Sequence, residues 1–130
     1  MQEKIEKLRA MKLLFVEDED DLIEIISDTL DKLDTNYLTA KNGEEALKLV
    51  EKNPDLSMII TDINMPVMNG LEMIEELKQK DINLPIIVMS AHTELEYINK
   101  AKELGVNDYL LKPFDFIKFI NLIVSLDRSN

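Results

Sequence analysis

The chain contains no cysteine. Disulfides, thiolate metal sites and cysteine nucleophiles are thereby excluded, and the absence is compatible with the cytoplasm. Histidine occurs once, at His92, so imidazoles alone cannot assemble a metal site. Basic residues are in short supply: 15 Lys and Arg stand against 26 Asp and Glu, for a net charge of −11. So acidic a surface repels phosphates, which argues against nucleic-acid binding by this domain. No apolar run approaches the roughly 20 residues that a membrane helix requires, and the opening "MQEKIEKLRA" does not read as a signal peptide. Internal repeats and low-complexity segments are also absent. What remains is a chain of 130 residues, 45% of them apolar, which suits one domain with a real core and leaves no room for a second of ordinary size.

Within that domain, short apolar runs alternate with helical patterns. "MKLLFV" (11–16), "YLTA" (37–40), "LSMIIT" (56–61), "LPIIVMS" (84–90) and "DYLLK" (108–112) read as strands. The third is apolar enough to be covered on both faces. After the first, Leu22, Ile25, Ile26, Leu30 and Leu33 recur at helical spacing behind a cap at Asp20 or Asp21. "NGEEALKLVEK" (42–52), "LEMIEELKQK" (71–80), "ELEYINKAKELG" (94–105) and "DFIKFINLIVSL" (115–126) read as further helices, with Gly105 as a stop signal. This alternation predicts an α/β fold, a doubly wound five-stranded parallel sheet with five helices in three layers. Residues 1–10 fall outside the pattern and read as an N-terminal extension, either an extra helical turn or a linker, residues 11–127 as the domain, and 128–130 as a tail.

In such a sheet, ligands bind outside the carboxyl ends of the strands, where the strand order switches. The first strand runs directly into "EDEDD", Glu17 to Asp21; Asp62 follows the third strand, Ser90 the fourth, and Lys112 ends the fifth. Each has a plain explanation singly. Asp20 and Asp21 favour a helix dipole, Glu19 is solvated surface, Asp62 precedes a turn at Pro66, Ser90 caps a helix, and Lys112 lies on the surface. Their joint placement at strand ends is not explained that way. Neighbouring carboxylates without a counterion are unfavourable unless one takes up a proton. Mg²⁺ resolves the conflict, because it prefers oxygen ligands and needs only one or two carboxylates besides water and substrate oxygens. A carboxylate facing Mg²⁺, an ammonium and a hydroxyl suits a phosphoryl group. Such a carboxylate can itself be the nucleophile, giving an aspartyl phosphate.

The segments "LLFVED", "MIITDINMPVMNG", "PIIVMSA" and "DYLLKPF" stand in an order that resembles the receiver (response-regulator, CheY-like) domain of bacterial two-component signal transduction, over residues 11–127. The resemblance implies a flavodoxin-like strand order of 2-1-3-4-5. It implies Asp62 as the phosphoacceptor, assisted by Lys112 and Ser90, with Ser90 and Tyr109 as the switch residues. Glu17 and Asp18 match the acidic pair, Asp18 binding Mg²⁺ directly and Glu17 through water, with Mn²⁺ as an expected substitute. Asp62 and the backbone carbonyl of Asn64 complete the implied metal ligands. A cis bond before Pro113 and a glycine, Gly70, ending the phosphoacceptor loop are implied too. Two departures are small: the acidic pair is Glu-Asp rather than Asp-Asp, and Ser90 replaces the more frequent Thr while keeping the hydroxyl.

The expected function is a phosphorelay switch without turnover of an external substrate. Its expected partners are a sensor histidine kinase or phosphotransfer protein and a downstream effector, separate or fused, with no membrane and no nucleic acid. The output surface would be the fourth of the five helices, the fifth strand and the last helix (α4-β5-α5 in the family's count). His92 reads first as a solvent-facing loop residue, and second as one tuning how water reaches an acyl phosphate. The alternative is a Mg²⁺-dependent phosphatase with an aspartyl nucleophile, which is weakened because Asn64 cannot transfer a proton. A flavodoxin-like mononucleotide binder is weakened by a first loop rich in carboxylates instead of Ser, Thr and Gly. The last helix has few basic residues, unlike the charged dimer face of receivers joined to winged-helix transcription factors, and its Phe and Ile content points to a hydrophobic partner surface. Residues 1–10 read as linker from a longer protein.

Overall fold

The computed structural model describes residues 2–91 and 94–126. Strands β1 (Lys12–Val16), β2 (Asn36–Ala40), β3 (Met58–Asp62), β4 (Ile86–Ala91) and β5 (Asp108–Lys112) pair in parallel, in the order β2-β1-β3-β4-β5. The helices are α1 (Gln2–Arg9), α2 (Asp20–Lys32), α3 (Gly43–Lys52), α4 (Gly70–Gln79), α5 (Leu95–Glu103) and α6 (Phe116–Ser125). Fold class and strand order agree with expectation; the helices number six among the described residues rather than five.

Side chains of β1 alternate between two cores, as the two-residue period of a strand requires. Leu13 and Phe15 join Met58, Ile60, Ile87 and Met89 under α1, α2 and α6. Leu14 and Val16 join Ile59, Ile63 and Val88 under α3, α4 and α5. Burial on both faces is why the central strands read as unbroken apolar runs. Phe119 of α6 anchors the first core, edge-on to Phe15 and Phe116 and stacked with Phe114 at centroid distances of 6.3, 5.9 and 5.6 Å.

Helix ends are set by local chemistry that corrects several expected boundaries. The N-cap of α2 is Glu19, without a side-chain cap bond, so Asp20 and Asp21 lie in the first turn and act through the helix dipole. Asn69 and Glu72 form a reciprocal capping box at α4, which fixes where the preceding loop stops. Gly105, at φ +89°, closes α5: Val106 N–H donates to the Ala101 carbonyl and Gly105 N–H to that of Lys102, both at 2.9 Å.

Residues 2–9 are a helix because tertiary contacts make them one. Leu8 is wholly buried in the core shared by α2 and α6, and α1 packs on α6. Lys4 Nζ donates to Asn121 Oδ1 at 2.7 Å and Arg9 Nε to the Leu33 carbonyl at 2.9 Å. The latter places a cation on the C-terminal end of α2, where the dipole favours it. A segment of eight residues has too few turns to show a helical period or to hold a helix alone.

Candidate functional site

The chain leaves β1 for the outer strand β2, then returns to β3 on the other side of β1. The carboxyl ends of β1 and β3 therefore flank the switch point. Glu17, Thr61, Asp62 and Ser90 are the buried polar residues among those described, and all lie at this edge of the sheet. Polar burial confined to one place marks a built site rather than incidental packing.

Asp62 is the last residue of β3, not the first of the loop, and pairs in register with Met89 of β4. Its Oδ1 accepts the Ile63 N–H at 2.8 Å. Thr61, buried beside it, donates its hydroxyl to the Asp62 carbonyl at 2.7 Å. Glu17 is fully buried at the end of β1, and its Oε1 accepts the Glu19 N–H at 3.3 Å. Asp18 is the more open member of the pair. One oxygen each of Glu17, Asp18 and Asp62 lie within 4.8 Å of one another. Lys112 reaches in from β5, its Nζ 3.2 Å from Glu17 Oε2 and 3.5 Å from Asp62 Oδ2.

Three carboxylates against one ammonium leave excess negative charge in a poorly solvated place. Burial first, and then the charge of Asp62, push the Glu17 carboxyl up to about 7, with Lys112 pulling the other way. Burial also raises Asp62, against the lowering pull of Lys112 and the Ile63 N–H. Burial would lower Lys112, but Asp62 and Glu17 outweigh it and hold the ammonium above its ordinary range. An all-oxygen donor set with surplus negative charge fits a hard divalent cation such as Mg²⁺.

The loop after Asp62 is tightly tied. Met68 N–H donates to the Pro66 carbonyl at 2.7 Å across Val67, whose φ is +68°, a strained γ-turn. The Met68 carbonyl in turn accepts the Gly43 N–H at 2.8 Å, joining this loop to the start of α3. Asn64 lies exposed in the loop. Its side-chain amide donates to Glu94, as do Ala91 N–H at 2.9 Å and the Ser90 hydroxyl at 3.4 Å. Glu94 and Thr61 were not singled out from the sequence; an acid four residues past a strand-end serine resembles any helix-start acid. Tyr109 is 41% exposed and lies under the Lys102 ammonium, 5.7 Å from ring centroid to Nζ. Across β4 and β5 it pairs with Val88, while Ser90 pairs with Leu111, so Tyr109 and Ser90 share a sheet face. The Lys112–Pro113 bond is cis. His92 lies outside the described residues.

Sheet order and site together define a receiver of two-component signalling. Residues 13–124 match the response regulator receiver domain, and the chain belongs to that family. It is 40% identical over 107 residues to a chemotaxis protein CheY homolog of Campylobacter jejuni, spanning 80% of this chain and 82% of that protein. It is 36% identical over 104 residues to the alkaline phosphatase synthesis transcriptional regulatory protein PhoP of Bacillus subtilis, covering 79% of this chain and 42% of the longer relative. Among solved structures it superposes on Vibrio cholerae chemotaxis protein CheY4 with a TM-score of 0.80 at 29% identity, covering 89% of this chain and 98% of the other. None of the described helices is long and apolar enough to cross a membrane.

Proposed function

We propose that Asp62 accepts a phosphoryl group from a histidine kinase or phosphotransfer protein, with Mg²⁺ bound at Glu17, Asp18, Asp62 and the backbone carbonyl of Asn64. The observation that supports this best is the placement of the Asp62 carboxylate between an acidic pair and Lys112, at the switch point of the sheet. The Ile63 N–H anchors Oδ1 and so orients the carboxylate. An Asp62 oxygen forms the new O–P bond while the P–N bond of the donor breaks, its electron pair leaving on the imidazole. Lys112 stabilises negative charge on the transferred oxygens. When bound, Mg²⁺ would supply the further positive charge that phosphoryl transfer requires. Asn64, two residues past Asp62, has no proton to exchange as an acid would, which favours stoichiometric phosphorylation over turnover.

Output is read as a shift between two packings of the α5-β5-α6 surface, driven by contact of Ser90 with the phosphoryl group. Val88 and Leu111 lie on the same sheet face as Ser90 and Tyr109, which offers a packed route between them. The effector is a separate protein or a fused domain, and the protein works in the cytoplasm.

The test is incubation with Mg²⁺ and acetyl phosphate, followed by intact mass. One base-labile phosphoryl group is expected on the wild-type chain and none on Asp62→Asn. Equal labelling of the variant overturns the assignment, and repeated turnover of a phosphomonoester favours the phosphatase reading.

A further inference from the structure

Glu94 stands at the N-cap position of α5, yet its side chain makes no capping bond. A carboxylate there ordinarily accepts from the first N–H groups of its own helix. This one turns back across the strand ends. Its Oε1 accepts Ala91 N–H at 2.9 Å and lies 3.4 Å from the Ser90 hydroxyl, which shares its one proton between Glu94 and the Ala91 carbonyl at the same distance, and its Oε2 accepts the Asn64 amide. Ser90 is fully buried and ends β4 with Ala91, whereas Asn64 belongs to the loop after β3. Donors from two segments thus converge on a single carboxylate, an arrangement that suits an anion.

A phosphoryl group on Asp62 would call on the same donors. Ser90 and Ala91 directly follow Met89, the register partner of Asp62, and Asn64 is two residues beyond it. Lys112 approaches from the other side, already on Glu17 and Asp62. We propose that Glu94 is a built-in carboxylate occupant of the phosphoryl-binding donors, a latch that must be displaced before Ser90 and Ala91 can hold the transferred group. This rests on the phosphoacceptor reading of Asp62. Competition follows directly: each donor engaged by Glu94 is withheld from the phosphoryl group, and the Glu94 charge opposes an incoming dianion. Displacement would also release the start of α5 from the β3–α4 loop, so occupancy of the site reaches the α5-β5-α6 surface through a named contact.

The probe is beryllofluoride in the presence of Mg²⁺, titrated into the wild-type chain, Glu94→Gln and Glu94→Ala, and followed by the Ser90 and Ala91 amide resonances. The half-saturating concentration is expected to fall about ten-fold in Glu94→Ala and less in Glu94→Gln, which keeps an acceptor but loses the charge. In metal-free protein the Ala91 amide proton should move upfield in Glu94→Ala as its carboxylate partner is lost. Equal or weaker binding by both variants, with thermal midpoints near wild type, overturns the latch alone. Failure of all three chains to bind overturns the phosphoacceptor reading and the latch with it.

Discussion

A Cβ on Gly70 would lie 2.4 Å from the carbonyl oxygen of Asp62 and 3.1 Å from Ile63 Cα. The Gly70 N–H donates to the Ile63 carbonyl at 2.8 Å, so the first residue of α4 is pressed against the backbone that carries the candidate phosphoacceptor. The obstacle is backbone, which cannot rotate away as a side-chain end can. Gly70→Ala is expected to cost about 2–3 kcal/mol in urea unfolding, as overpacking does, and to slow phosphorylation by acetyl phosphate. A midpoint within error of wild type would show that the loop yields freely.

Val67 presents the opposite case. It is β-branched, 74% exposed and held at φ +68°, a region such side chains avoid. An exposed valine elsewhere would lose stability on change to glycine. Here Val67→Gly removes strain and little packing, and is expected to stabilise by about 1 kcal/mol. Chemical denaturation checks the sign; clear destabilisation would mean that Val67 makes a contact outweighing its strain.

Glu17, Asp62 and Lys112 are legible in the sequence because, although each alone has a plain local explanation, their joint placement at the ends of neighbouring strands has none. In sequence Asp62 reads as the first loop residue, because a charge marks the end of the apolar run, whereas the register carries pairing through Asp62 to Met89. Glu94 was not legible: its partner Asn64 is 30 residues away, and nothing local separates it from a solvated helix-start acid. The capping box of Asn69 and Glu72 carries the three-residue spacing of a helix start, just ahead of the apolar Met73, Ile74 and Leu77. Helix α1 was hidden because its stability resides in contacts with α6 and α2 rather than in its own residues.

The raised Glu17 carboxyl gives a pH dependence of definite sign. Its ordinary value of 4.5 rises to about 7 in the folded protein, and Asp62 moves in the same direction. Between those values the folded chain keeps a proton that the unfolded chain releases, so this contribution is present at low pH and lost as pH climbs through 7. In EDTA, Tm should fall from about pH 5 to pH 8, and Glu17→Gln should flatten that slope. On the proposed reading Mg²⁺ takes the deprotonated set, so it should raise Tm more at pH 8 than at pH 5. A metal-free Tm that rises across this range, or an equal Mg²⁺ shift at both ends, contradicts the site electrostatics.

Helix α1 ends beside the amino end of β1, whereas Asp62 and Lys112 lie at the carboxyl ends of their strands. Stability and phosphoryl chemistry should therefore separate cleanly there. Leu8 is 0% exposed and shares a core with Phe119, Ile120 and Ile123 of α6. If residues 2–9 were only a tether, truncating Leu8 would be nearly neutral. As part of the core, Leu8→Ala should destabilise by about 3 kcal/mol, within the range for buried leucines. The folded fraction should still take up one phosphoryl group at the wild-type rate, because the site lies at the opposite ends of the strands from α1. A change below about 0.5 kcal/mol, the usual size for a surface substitution, would return α1 to the status of a linker.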